Sequence, residues 1–198
     1  MTNNAAKLAL IVACVTLAAV TLAAAPEKTS TSAQIVALDE CDPLTFNAAL
    51  GNDFCKNVAL APLGFATTLQ DLFAKAAAGR PDQGWDFEPD TLKVKEGGTL
   101  FVSDQGGEPH TFTEVKQFGG GFIEGLNAGD RVVPECVGGF STLDVAKTRI
   151  IQGSQTQVTG LSKGIHHFQC CIHPWMRTTI NTRDEDQKDR DQNKDNNN

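Results

Sequence analysis

The sequence has no tyrosine, only two tryptophans and two methionines, and four histidines in 198 residues. Four imidazoles are too few for a cluster of several metal ions, each claiming two or three. Basic charge is also short: 17 Lys and Arg stand against 24 Asp and Glu, a formal net charge of −7. Without basic clusters the chain lacks the groups that phosphate backbones require, which excludes nucleic acid as a partner class. A positively charged protein partner is compatible with the acidic balance. No Ser-His-Asp or paired-carboxylate arrangement is recognisable. The glycine runs Gly119–Gly121 and Gly138-Gly139 lack the strand-then-helix setting of a phosphate loop and read as turns. From Arg183 onward there is no apolar residue at all, so residues 181–198 are expected to form a disordered polar tail.

The N-terminus is the opposite. Lys7 precedes an uncharged, mostly apolar run of 18 residues from Leu8 to Ala25, which ends in small residues before Pro26-Glu27-Lys28. That is the layout of a secretory signal peptide over residues 1–25. A retained membrane anchor is the alternative, but the run sits at the short end for a span, and no stable membrane span is expected. The chain is therefore expected to be exported, to a periplasm or the extracellular space. Six cysteines agree with an oxidising compartment. Cys14 leaves with the signal peptide, and the remaining five are an odd number, so one is either a free thiol or committed to other chemistry such as a metal.

Residues 26–180 leave enough chain for one domain with a sizeable core, and they form a monomer on this reading. Residues 26–84 read as a linker followed by a helical N-terminal extension. Asp42-Pro43 is an N-cap before a proline at the first helical position, and Gly51 is a stop. Thr68 and Asp71 approximate a capping box before Leu69–Ala78, which Gly79 closes. The pattern changes at Trp85. Strand-like runs at Leu92/Val94, Thr99–Ser103, Thr111–Val115, Arg149–Gln152, Gln155–Thr159, Ile165–Cys171 and Arg177–Asn181 are joined by Gly-rich connections. Short strands without intervening helices predict an all-β sandwich over residues 85–180. Residues 116–147 form a Gly-rich insertion that carries no clear pattern.

The informative segment runs from Gly164 to Met176. It places a thiolate (Cys170), an imidazole (His173) and a thioether (Met176) where a strand ends and turns back. Upstream, Pro109-His110-Thr111-Phe112 follows the turn Gly106-Gly107 and supplies a second imidazole. Two His and one Cys with a weak axial Met is the ligand set of blue-copper electron-transfer centres.

These residues resemble the cupredoxins. The Cys170-x-x-His173-x-x-Met176 spacing is similar to the ligand loop of amicyanin, and the wider pattern to plastocyanin and pseudoazurin. Phe87-x-Pro89, the Leu92/Val94 strand, Gly97 and Pro109-His110 resemble the first half of that family, and Gly164-x-His166-x-Phe168-x-Cys170 its copper-cysteine strand. The resemblance covers Trp85 to Ile180. It implies a Greek-key β-sandwich holding one copper ion on His110, Cys170, His173 and Met176, a role as one-electron carrier between redox partner proteins, and no enzymatic activity. It implies that Thr111 stands where the family often has Asn linking the two ligand loops, that Pro174 and Trp175 cover the site, and that electrons pass by the exposed edge of His173. The chain departs from the family at His166, which replaces a tyrosine, at Cys171, and in residues 26–84 and 116–147.

Alternatives remain open at this point. Neighbours on a strand face opposite ways, so Cys170 and Cys171 cannot both be donors, and an irregular strand end would let Cys171 take the role. His166 and His167 are extra donors or structural residues, and Met176 is a ligand or core filler. With Cys170 on the metal, Cys41, Cys55, Cys136 and Cys171 pair in one of three ways. Cys41–Cys55, closing the helical unit, with Cys136–Cys171, pinning the insertion to the ligand strand, is the expected pairing. A vicinal Cys170–Cys171 disulfide would abolish the site, but adjacent α-carbons are too close for most disulfides. Copper storage or delivery, and a secreted interaction module with structural copper, are the competing functions.

Overall fold

A computed structural model describes residues 30–56 and 66–184. The expected signal peptide lies outside the described residues, as does the tail from residue 185 onward. No helix among the described residues is long and apolar enough to cross a membrane.

The chain forms a mixed β-sandwich with few helices. Its strands are β1 (Ser30–Leu38), β2 (Asp86–Glu88), β3 (Thr91–Asp104), β4 (His110–Thr111), β5 (Thr113–Val115), β6 (Arg149–Ile150), β7 (Gln155–Thr159), β8 (Gly164–Gln169) and β9 (Arg177–Arg183). One hydrogen-bonded path runs β2-β1-β3-β9-β8-β5, with β7 also on β3, and β4 pairs β6 separately. The path doubles back because β3 changes partners along its length. Thr91–Lys95 lies parallel to β9, whereas Thr99–Ser103 lies between parallel β1 and antiparallel β7. The change falls at Gly97-Gly98. Gly97 has φ +71, and a Cβ on Gly98 would collide with the Val94 side chain, so both positions favour glycine. The two strand-like runs read from the sequence on either side of these glycines are thus one bent strand. Between the layers lie Ile35, Phe87, Val94, Leu100, Val102 and Ile180, with Phe168 stacked on Phe112 at 4.4 Å and Phe87 edge-on to Phe112 at 5.2 Å.

Helices α1 (Pro43–Leu50) and α2 (Leu69–Ala77) form where expected. The Asp42 carboxylate accepts from the Thr45 amide at 3.0 Å, and the Thr68 hydroxyl accepts from the Asp71 amide at 3.1 Å. Two boundaries differ from the sequence reading. Residues 30–38, read as linker and helical extension, are β1, a strand inside the sandwich. Ile35 and Ala37 alternate inward there, but alanine at two of the inward-facing positions, Ala33 and Ala37, blurs the period-two signal. Asn181–Arg183, assigned to the polar tail, continues β9 against Lys93–Lys95, with Thr182 buried.

The insertion contains three single 3-10 turns and a short helix, α3 (Leu143–Lys147). It builds a satellite core from Val133, Cys136 and Val145 against Val115 and Cys171. Both expected disulfides are formed: Cys41–Cys55, and Cys136–Cys171 with a Cα separation of 5.4 Å.

Candidate metal centre

His110 opens β4 directly after the Gly106-Gly107 turn, and Cys170 follows the last residue of β8. From there the chain reverses within seven residues into β9. Two backbone bonds close this loop, Cys170 N–H to the Met176 carbonyl at 3.1 Å and Met176 N–H to the His173 carbonyl at 3.0 Å. The side chains at 170 and 171 part as strand neighbours should. Cys171 turns outward into the disulfide, which removes it as a donor, and Cys170 turns inward as the free thiol of the described residues.

The Cys170 Sγ lies 3.9 Å from His110 Nδ1 and 4.0 Å from His173 Nδ1. All three donor atoms lie within 4.8 Å of one another. His110 and Cys170 are 0% exposed and His173 is 1% exposed. Two amides, from Thr111 at 3.4 Å and His173 at 3.5 Å, point at the sulfur. Burial pushes the Cys170 thiol up, but hydrogen bonds and charge from His110 and His173 outweigh it and hold the thiol well below its usual value. Burial likewise opposes charge on His110, and Asp39 together with Cys170 reverses this and lifts the imidazole well above its usual value. The thiol is thus held in the form that ligates metal. Met176 is fully buried, at the end of the same loop, with its backbone tied to both His173 and Cys170. Thr111 links the two ligand segments, since its hydroxyl accepts from the Cys171 amide at 2.7 Å.

Behind the imidazoles stands a layer of carboxylates that the sequence did not reveal. Asp39, just after β1, accepts from His110 Nε2 at 2.9 Å and from the Glu108 amide at 3.0 Å. This contact orients the ring and turns Nδ1 toward the sulfur. Burial alone would lift the Asp39 carboxyl, but the hydrogen bond and charge of His110 bring it below its usual value. Glu108 accepts from Trp85 Nε1 at 2.5 Å and sits 3.6 Å from His173 Nε2, with its carboxyl raised chiefly by burial. Asp104, buried beside Asp39, is raised to about 7, again chiefly by burial. The turn at Gly106 is tailored to this layer, because a Cβ there would collide with the Asp39 carboxylate.

One expectation fails. His173 presents no exposed edge: it is packed against Trp85 at 6.1 Å and Trp175 at 5.5 Å between ring centroids, and Glu108 closes it further. The N-terminal extension backs this cover, since Phe46 of α1 stacks on Trp85 at 6.3 Å. Trp175 does lie over the site, half-buried, with Nε1 donating to the Asp82 carbonyl at 3.0 Å. The other two histidines lie apart from the donors. His166 is held by Glu114 at 2.6 Å and the Ser162 carbonyl at 2.8 Å, and His167 packs on Phe118 at 4.7 Å.

The donors fit a metal that takes nitrogen and soft sulfur. Two imidazole Nδ1 atoms and one thiol sulfur converge in the buried interior, with a carboxylate behind each ring.

No family model matches this chain, and no curated protein does. Solved structures do. A purple cupredoxin from Nitrosopumilus maritimus matches over 76% of this chain and 99% of its own, at 12% identity and a TM-score of 0.38. A reduced amicyanin mutant matches over 50% of this chain and 73% of its own, at 18% identity and a TM-score of 0.32. A copper-containing nitrite reductase from Thermus scotoductus matches over 51% of this chain and 21% of its own, at 18% identity and a TM-score of 0.32. At these identities and scores, the metal reading rests on the donor set of this chain.

Proposed function

We propose that the chain is an exported protein that binds one copper ion through His110, Cys170, His173 and Met176 and carries single electrons between redox partner proteins. The observation that carries this reading is the convergence of two imidazole Nδ1 atoms, at 3.9 and 4.0 Å, on one buried thiolate. Copper, when bound there, supplies a one-electron couple that soft sulfur and imidazole ligands can hold in both oxidation states. The chain keeps the donors dry, fixes both rings through Asp39 and Glu108, and holds the sulfur as a thiolate between two amides. A closed, preorganised pocket of this kind suits a carrier, whose ligands move little between states. Storage or delivery requires donors that an acceptor can reach, and these are buried.

An enzyme of this type would need a second metal site for substrate. His166 and His167 are engaged with Glu114 and Phe118, away from the donors, which leaves no imidazole for one. Two disulfides support an oxidising compartment, and we assign the protein to the periplasm or the extracellular space, as a monomer.

The optical and electron paramagnetic resonance spectra of the Cu(II)-loaded protein test the reading. An intense thiolate-to-copper band is expected, lost in Cys170→Ser and retained in Cys171→Ser. A protein that binds Cu(II) without that band would overturn it.

A further inference from the structure

An electron carrier needs a place where its redox centre comes close to a partner, because electronic coupling falls steeply with distance. The donors themselves do not provide it. His110, Cys170 and Met176 are 0% exposed and His173 is 1% exposed. Three groups seal the outer side of His173: Trp85, Glu108 and Trp175. Trp85 and Glu108 are each 1% exposed, so neither reaches solvent. Trp175 does. Its indole meets the His173 ring edge-on at 5.5 Å, and the hydrogen bond to the Asp82 carbonyl fixes the ring in place. Asp82 is itself anchored by Lys75 at 2.5 Å and by the Thr67 hydroxyl at 2.8 Å, so the indole rests on a rigid support.

Trp175 lines a cavity of about 380 Å³ together with Trp85, Gln83, Asp86, Asp90, Phe118 and Arg177; of the two indoles, Trp85 is 1% exposed and Trp175 is the half-buried one. Arg177 is partly neutralised there, 3.4 Å from Asp130, with its guanidinium carbon 5.2 Å from the centroid of the Phe118 ring. Asp86 and Asp90 then give this opening an acidic rim around an aromatic floor, with Glu88 exposed between them.

We propose that Trp175, not His173, is the surface through which electrons enter and leave, and that the cavity it lines receives the cationic face of the redox partner. This rests on the copper reading above. In the outgoing step one electron passes from the reduced centre to the partner, the centre being oxidised and the partner reduced by one unit each. No bond forms or breaks, and Trp175 ends unchanged.

The test uses copper-loaded full-length protein and tris(phenanthroline)cobalt(III), a one-electron oxidant that is cationic and too wide to enter the space of an indole. In Trp175→Leu that keeps the thiolate–copper band and the reduction potential, the oxidation rate is expected to fall several-fold, and Trp175→Phe to recover part of it. Asp90→Lys is expected to slow the same reaction by about tenfold at low salt and to leave oxidation by anionic hexacyanoferrate(III) undiminished. A second readout needs no copper. Redox-inert hexaamminechromium(III) added to the metal-free protein is expected to broaden the Trp175 indole NMR signal far more than that of Trp85, and Asp90→Lys to abolish the effect. An unchanged cobalt rate in Trp175→Leu, or broadening centred elsewhere, overturns the proposal while the copper reading stands. A missing thiolate–copper band removes both, and the chromium map alone then reports whether the cavity takes a cation.

Discussion

Two pieces of chain outside the sandwich strands press on the ligand loops, and they do so by different means. The N-terminal unit, from Asp39 to Trp85, is closed by Cys41–Cys55 across a sequence separation of 14. It brings charge and aromatic surface to the two imidazole rings, through Asp39 on His110 and Trp85 beside His173. The insertion at 116–147 is closed by Cys136–Cys171 across a separation of 35. It reaches the backbone of the ligand strand instead: the Phe122 amide donates to the Cys171 carbonyl at 2.8 Å, and the Gln169 side chain bonds both the amide and the carbonyl of Gly119. Hence the first piece sets the electrostatics of the centre, and the second sets where the thiolate stands.

Removing each staple should separate the two roles. Replacing Cys136 and Cys171 together by serine is expected to cost about 3.8 kcal/mol of stability, because the longer loop gives the unfolded chain more freedom. The thiolate–copper band should survive with little change in potential. Replacing Cys41 and Cys55 should cost about 0.8 kcal/mol less on loop length alone, yet shift the potential more. Thermal unfolding and voltammetry on the two variants decide this, and a larger potential shift from the Cys136/Cys171 pair would break the division.

A narrower change is Asp39→Asn. It removes one buried negative charge behind His110, and that charge favours Cu(II) over Cu(I). The potential is expected to rise by about 60 mV, equivalent to about 1.4 kcal/mol for a one-electron couple. A fall would mean that Asp39 acts by shape alone. Met176 belongs to neither piece. Met176→Gln should keep the metal and lower the potential, since a harder oxygen donor favours Cu(II). An unchanged potential with copper retained would make Met176 a core residue only.

The smallest effect is expected at His166, away from both covers. Burial works against its charge, but the bonds to Glu114 and the Ser162 carbonyl raise its affinity for a proton above the ordinary value. A raised folded value means that the pair stabilises fully below the unfolded value and fades as pH rises through the folded one. Glu114→Gln should therefore lower the melting temperature slightly at pH 5 and hardly at pH 9. Equal losses at both would show that charge plays no part.

The approach of Cys170 and His173 was legible because they stand three positions apart in one loop. The cysteine count left three pairings open, and the one expected among them is the one formed. What sequence hid came from distance and from weak pattern. Asp39 and His110 are 71 positions apart, and nothing near either one announces the pairing. Ala33 and Ala37 gave β1 too little contrast to be seen as a strand, so the N-terminal unit read as a helical appendage. The burial of His173 then went unforeseen, because it depends on how that unit packs against Trp85.

The bend at Gly97-Gly98 bears on the order in which the molecule is assembled. A single strand, β3, takes its neighbours from both ends of the chain, β1 before it and β7 and β9 after it. Contacts so distant in sequence cost much chain entropy before they return any stability, which makes for slow, all-or-none folding. The loop from Cys170 to Met176 lies just before β9, the last strand among the described residues. The His110 ring and the Cys170 sulfur, 60 positions apart in sequence, therefore meet only once these distant strands have paired.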